Sequence, residues 1–164
     1  MVYYRFDVKA KNYRFLLYVD DLGKRLPEAL AGFQRSIMAK NTDPEGQYLQ
    51  AFRDHLVDWY KFWDPLPANC INLAGMDFIN GWLLEETPSV REMKLTEAGQ
   101  SWANFLRVKT GSGSSYAFMI FPKELGIDIS VYIQVMDDIT LFANYANDIF
   151  SYVHKPSSRQ VPIP

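Results

Sequence analysis

One cysteine, Cys70, and two histidines are all that 164 residues hold of the usual soft metal ligands. A single cysteine excludes a disulfide framework and any cysteine-built zinc site, and it fits a reducing, cytoplasmic compartment. An excess of one charge is missing too: 17 Lys and Arg face 19 Asp and Glu, a formal charge of −2. Such a balance offers no global field to nucleic acid or to an anionic membrane surface. Long apolar runs are absent as well. Phe15–Val19 and Ala117–Phe121 are about five residues each, against the ~20 that cross a bilayer. The first residues lack the order of a secretion signal, and neither hairpin signals nor internal repeats punctuate the chain. What is abundant is apolar and aromatic: 48% hydrophobic residues, with 11 Phe, 10 Tyr and 4 Trp. That composition excludes a disordered tail or a fibre and predicts one globular domain.

The periodicity is helical. Residues 6–22 end in the run Tyr13–Leu22, apolar nearly all round, which predicts a buried helix. Pro27 suits a first helical turn, followed by a stripe of Leu26, Leu30, Phe33, Ile37 and Met38. Asp43-Pro44 is a further start signal. Tyr48, Leu49, Phe52, Leu56, Trp59, Tyr60 and Trp63 then follow at spacings of three and four, predicting one amphipathic helix. Asp64-Pro65-Leu66-Pro67 predicts a break, with helix resuming from about Ala68 to Glu85. Thr87-Pro88-Ser89 is a second break, with Ser89 and Glu92 spaced as a capping box. Helical stretches over 97–109 and 114–121 flank Gly111-Ser112-Gly113, and one long apolar helix is predicted over 128–153. The expectation is all-α, about six to eight helices in a domain spanning 1–155, with an extended Pro/Ser-rich tail over 156–164.

Two places set carboxylates in apolar surroundings. Asp20-Asp21 close the first helix; Asn147-Asp148 and Ser151 sit near the end of the last one. Adjacent carboxylates at a mostly buried helix end repel unless a proton, a base or a metal neutralises them. Hard divalent ions take oxygen ligands, commonly one or two carboxylates with phosphate oxygens and water. Asn147 and Ser151, one turn apart, share a helix face. A plain helix terminus running into Gly23, and a solvated polar stripe, explain the same residues without a metal.

Compared with known families, the chain resembles the central part of fungal class I terpene cyclases of the trichodiene synthase type over about residues 10–153. Tyr18-Val19-Asp20-Asp21 is similar to that family's aspartate-rich metal motif, and Asn147-Asp148-Ile149-Phe150-Ser151 to its second. Between them, the segment Asp77–Glu85, Phe105-Leu106-Arg107, Gly111 and Phe121-Pro122-Lys123-Glu124 follow in family order. The resemblance implies a truncated helical bundle around an apolar cavity, three Mg²⁺ ions and farnesyl diphosphate as substrate, ionised and cyclised to a sesquiterpene. It assigns metal binding to Asp20, Asp21, Asn147 and Ser151, diphosphate binding to Arg107, and an effector role to Thr110 and Gly111 at the helix break. Phe78, Trp82 and Phe150 are the candidate aromatic cavity wall.

The chain also departs from the pattern. Where the first motif usually carries a further acid, positions 22–25 read Leu-Gly-Lys-Arg, and Lys155 stands eight positions past Asn147, where the family has a chelating Glu. A cation cannot ligate Mg²⁺, so impaired turnover is expected. The region matched lacks the helices that flank it in the family, so exposed apolar faces and self-association are expected. Two alternatives stand beside the cyclase reading: a non-catalytic helical interaction protein and an isoprenoid-diphosphate binding module.

Overall fold

A computed structural model describes residues 2–39 and 47–154. The expected start at Asp43-Pro44, the 156–164 tail and Lys155 lie outside the described residues. Among those described there is no strand. The helices are α1 (Val2–Leu22), α2 (Pro27–Met38), α3 (Gln47–His55), α4 (Pro65–Glu86), α5 (Pro88–Arg91), α6 (Trp102–Thr110), α7 (Gly113–Met119), α8 (Ile129–Tyr132) and α9 (Met136–His154). α5 and α8 are single turns of four residues, so the longer helices fall within the expected number. No helix among the described residues is long and apolar enough to cross a membrane.

Proline sets three of the starts. Pro27, Pro65 and Pro88 each open a helix, where an amide N–H would have no intrahelical partner. The predicted break at 64–67 therefore shrinks to Asp64, whose extended backbone (ψ 159°) the following proline favours. The capping box is not formed: Thr87 is the cap residue of α5, and its hydroxyl turns back to donate to the Leu83 carbonyl at 2.7 Å.

Two expected helices are interrupted. The 48–63 stripe is helical only to His55, and a 3₁₀ turn over Asp58–Lys61 follows. Asn72 of α4 donates to the Leu56 carbonyl at 3.0 Å, so a tertiary bond takes the place of the next helical one. The tighter winding still buries Trp59 and Trp63, edge to face with ring centroids 5.0 Å apart. Trp63 then donates its indole N–H to the Phe118 carbonyl at 3.1 Å. The 128–153 segment is likewise split into α8, a 3₁₀ turn over Ile133–Val135, and α9.

α4 is the hub: α1, α2, α6 and α7 all pack on it, while α9 packs mainly on α7 and touches α6. Burial on α1 follows one stripe, Val8, Phe15, Leu16 and Val19, while Tyr13 and Leu17 remain exposed. The nearly all-round burial expected for Tyr13–Leu22 is thus not realised. On α9 the polarity is turned about. Met136, Thr140 and Asn144 face inward, while Phe142, Tyr145, Ile149, Phe150 and Tyr152 are exposed.

Candidate functional site

The α6–α7 break is where this packing leaves room. Ser112 caps α7 in the left-handed region (φ 51°), and Gly111 and Gly113 beside it lie tight against α9. A β-carbon on Gly113 would sit 2.6 Å from both the Thr140 carbonyl oxygen and Asn144 Oδ1, and one on Gly111 would meet Asn144 Oδ1 and the Arg107 guanidinium. The absence of side chains thus lets the break close on the buried Asn144.

In front of the break lies a cavity of about 480 Å³. Tyr13, Leu16, Leu17 and Asp20 line it from α1, Phe78 from α4, Thr110, Gly111 and Ser112 from the break, Tyr116 from α7, and Ala143 and Asn147 from α9. Its size falls in the range of small-molecule sites. Asp20 lies two turns, about 10 Å, along α1 from Tyr13, so the lining passes from a carboxylate end to an aromatic one.

Arg107 governs the polar end. Its Nε donates to Asp148 Oδ2 at 3.0 Å, and one terminal nitrogen reaches Asp148 Oδ1 at 2.8 Å, the Asn144 carbonyl at 2.8 Å and Asn147 Oδ1 at 3.3 Å. This bidentate clasp bolts α6 to α9. Glu85 of α4 stands near the same end. Desolvation, then the neighbouring carboxylates of Asp20 and Glu86, raises its pKa, and Arg107 opposes the rise.

Of the residues singled out from sequence, Asp20, Asn147, Thr110, Gly111 and Phe78 meet in one cavity, with Arg107 bonded to Asn147 beside it. Asp21 and Ser151 are exposed and outside the lining. Trp82 is buried in the core against Gly23 and Leu30 rather than in the cavity, and Phe150 is two-thirds exposed at 66%. Sequence reasoning passed over Glu85, Asn144, Tyr13 and Tyr116. The doubled acid Glu85-Glu86 ending an apolar helix was the one available signal for the first; nothing local distinguishes the other three.

A hard divalent ion would find only part of a donor set here. Asp20, with Glu85 beside it, fits the one or two carboxylates that Mg²⁺ shares with phosphate oxygens. The α9 cluster does not fit in this arrangement, because Arg107 already holds Asn147 Oδ1 and both Asp148 oxygens. Among the described residues no three acidic, histidine or cysteine side chains converge on one point.

A second cavity, about 510 Å³, lies between α1 and α3 beside Lys11, Arg14, Phe52, His55 and Asp58. It contains no residue of the break or of α9. His55 is 2% exposed, and burial lowers its pKa from 6.5; Asp58 at 3.5 Å and Asp7 oppose the shift, and Lys11 adds to it. Below about pH 6.5 the unfolded chain takes up a proton that folded His55 resists, so stability falls as pH drops through that value. The melting temperature is expected to be lower at pH 5.5 than at pH 7.5, with His55→Gln flattening the slope; a wild-type slope in the variant would contradict this.

Comparison with known proteins shows what the chain is similar to. No protein-family model matches the chain. Over 85% of its length, however, it is homologous to fungal terpene synthases. It is 32% identical over 139 residues to terpene synthase BipA of Cochliobolus sativus, covering 42% of that protein. With longiborneol synthase CLM1 of Gibberella zeae it shares 29% identity over 106 residues, 63% of this chain and 31% of that one. With the (E)-beta farnesene synthase of Metarhizium brunneum it shares 26% over 137 residues, 82% of this chain and 41% of that one. The chain spans less than half the length of these relatives. The homology is to fungal terpene synthases in general, and does not narrow to the trichodiene synthase type.

Proposed function

We propose that this chain is the diphosphate-holding part of a terpene synthase and binds an isoprenyl diphosphate, farnesyl diphosphate by resemblance, in the cavity at the α6–α7 break. The observation that carries the reading is the meeting of Asp20, Asn147, Thr110 and Gly111 around one space, from three parts of the chain far apart in sequence. The head group would lie at the Asp20 and Arg107 end and the hydrocarbon along Leu16, Phe78 and Tyr116. Asp20 and Glu85 would hold Mg²⁺ together with phosphate oxygens, and the ion, when bound, supplies positive charge to a departing diphosphate. Arg107 would turn from Asp148 to the phosphate oxygens, which its planar fork fits equally well. Thr110 and Gly111 form the wall that such a turn would move. Asp21, Asn147 and Ser151 remain proposed metal ligands in a rearranged site, freed only when Arg107 lets go.

Turnover by this polypeptide is expected to be impaired. Lys155 stands eight positions past Asn147, where the resemblance calls for a chelating Glu, and a cation cannot ligate Mg²⁺. Calorimetry with inorganic pyrophosphate and Mg²⁺, followed by incubation with farnesyl diphosphate and gas chromatography of the volatiles, tests both halves. Saturable, Mg²⁺-dependent binding without a cyclic sesquiterpene is expected. No binding would sink the reading; abundant cyclic product would overturn the impairment.

A second reading, a non-catalytic interaction protein, draws on the exposed aromatic face of α9. A discrete dimer by light scattering, abolished by Phe142→Glu, would favour it; a monomer at high concentration would not.

A further inference from the structure

α1 has a cavity on either side of it. Tyr13, Leu16, Leu17 and Asp20 line the one at the break, while Lys11, Arg14 and Phe15 line the other, of about 510 Å³. The division follows from spacing, since residues 11, 14 and 15 share one face of a helix and 13, 16, 17 and 20 another. Across from Lys11, Arg14 and Phe15 stand Ala51, Phe52, Asp54 and His55 of α3, with Asp58 of the 3₁₀ turn that follows. The volume is that of a small-molecule site.

The apolar side of this space is aromatic. The Phe15 and Phe52 rings stack with centroids 3.5 Å apart and 3° between their planes, and Phe33 packs against both. All three are buried, so the stack is anchored in the core.

The polar side is divided by sign. Lys11 and Arg14 stand on α1, and Asp54 and Asp58 on the opposite wall. The carboxylates are already engaged. Asp54 accepts from Gln50 Nε2 at 2.8 Å; Asp58 accepts from Lys61 Nζ at 2.6 Å and lies 3.5 Å from His55 Nδ1. Lys11 is paired with Asp7 at 3.0 Å. Arg14, by contrast, is exposed and has no hydrogen bond or ion pair among the described residues. The buried His55 Nε2 has no partner there either.

This inventory fixes the charge of a ligand. An unpartnered guanidinium fits a carboxylate through two parallel hydrogen bonds. One negative charge balances the one free cation of the lining, whereas a second, as on a diphosphate, would face Asp54 and Asp58 uncompensated. A cationic ligand would find both carboxylates engaged and Arg14 repelling it. The stacked rings favour a flat apolar body.

We infer that the space between α1 and α3 is a second ligand site, which takes a small aromatic monocarboxylate. The carboxylate pairs with Arg14, and the ring lies against Phe15 and Phe52. The site stands apart from the diphosphate reading, because the two linings share no residue.

The test is titration of 3-phenylpropionate, and of its neutral amide 3-phenylpropanamide, into the full chain at pH 7.5, followed through backbone amide resonances. Saturable shifts centred on α1 and α3 are expected, with the acid bound about fivefold more tightly than the amide, the upper range for an ion pair open to water. Arg14→Gln is expected to lower the acid's affinity to that of the amide and to leave the amide's own affinity unchanged; a merely structural effect would lower both. Ala51 is exposed, so Ala51→Trp fills the space from its rim without entering the core, and it is expected to abolish binding of both compounds. Inorganic pyrophosphate with Mg²⁺ is expected to displace neither. Equal affinity for acid and amide in the unmodified chain, or a preference that persists in Arg14→Gln, overturns the assignment of the ligand's charge and the proposal with it. Absence of saturable shifts, undiminished binding in Ala51→Trp, or displacement by pyrophosphate overturns the site itself.

Discussion

Gly113→Ala is expected to lower the melting temperature by about 3–10 °C and to weaken pyrophosphate binding at the same time. The new β-carbon would stand 2.6 Å from the Thr140 carbonyl oxygen and 2.6 Å from Asn144 Oδ1. The first of these is backbone within α9, which can yield only if the whole helix shifts. The second belongs to a side chain that is 1% exposed. Forcing extra methyl volume into such packing costs about 1–3 kcal/mol, and in a chain of this length each kcal/mol is worth roughly 2–4 °C. The loss should extend to the ligand because Ser112, the preceding residue, lines the cavity and α7 carries Tyr116. Adding Asn144→Ala should recover part of the stability, since it removes one of the two obstructing atoms, and the recovery measures the coupling between break and α9. Melting curves of the two single variants and the double, with pyrophosphate titrations of each, decide the matter. A Gly113→Ala protein as stable as the unmodified chain would mean that α7 and α9 are not held in this close approach.

The break itself was legible beforehand, because Gly-Ser-Gly inside a helical pattern has few other meanings. The all-α architecture was legible from periods of three and four, and Pro27 was legible as a helix start, whereas Pro65 and Pro88, which read as breaks, open helices of their own. What escaped was decided by tertiary contact. Residues 48–63 have a faultless helical stripe, yet the bond from Asn72 to the Leu56 carbonyl ends the helix there, and Trp59 and Trp63 are buried through a tighter turn. The long apolar segment after Pro122 reads as a central helix, but its inward face carries Thr140 and Asn144 while its aromatics face out. Hydrophobicity alone cannot tell which side of such a helix meets the rest of the molecule. The same limit applies to the cavity wall. Trp82 and Phe150 share the aromatic character of Phe78, but of the three only Phe78 lines the cavity: Trp82, one turn further along α4, packs against Gly23, and Phe150 is exposed. Arg107 could be named from the family resemblance. Its clasp on Asp148 could not, since it depends on how α6 crosses α9.

That clasp gives the other large expectation: Arg107→Gln should weaken pyrophosphate binding about 10–100-fold, while Asp148→Asn should strengthen it severalfold. Arg107 is bonded to Asn147 of the cavity lining, and its side chain is only 25% exposed. A hydrogen bond to a charged group in such a setting is worth about 1.5–3 kcal/mol, which sets the size of the loss. Glutamine keeps length and some donor capacity but neither the charge nor the fork. In the resting arrangement, however, the fork is already filled by Asp148, so an incoming diphosphate must compete with a carboxylate for the same two donors. Asp148→Asn removes that competitor's charge and leaves a side chain that can still accept one bond from Arg107, so α6 and α9 should stay together. The two substitutions therefore act on ligand binding with opposite signs although each breaks the same ion pair, and a merely structural role for the pair would move both the same way. Titration of pyrophosphate into the two variants, with circular dichroism to show that both retain their helices, separates the cases. If Asp148→Asn weakens binding as Arg107→Gln does, Arg107 serves to hold α6 on α9 and the phosphate is bound elsewhere.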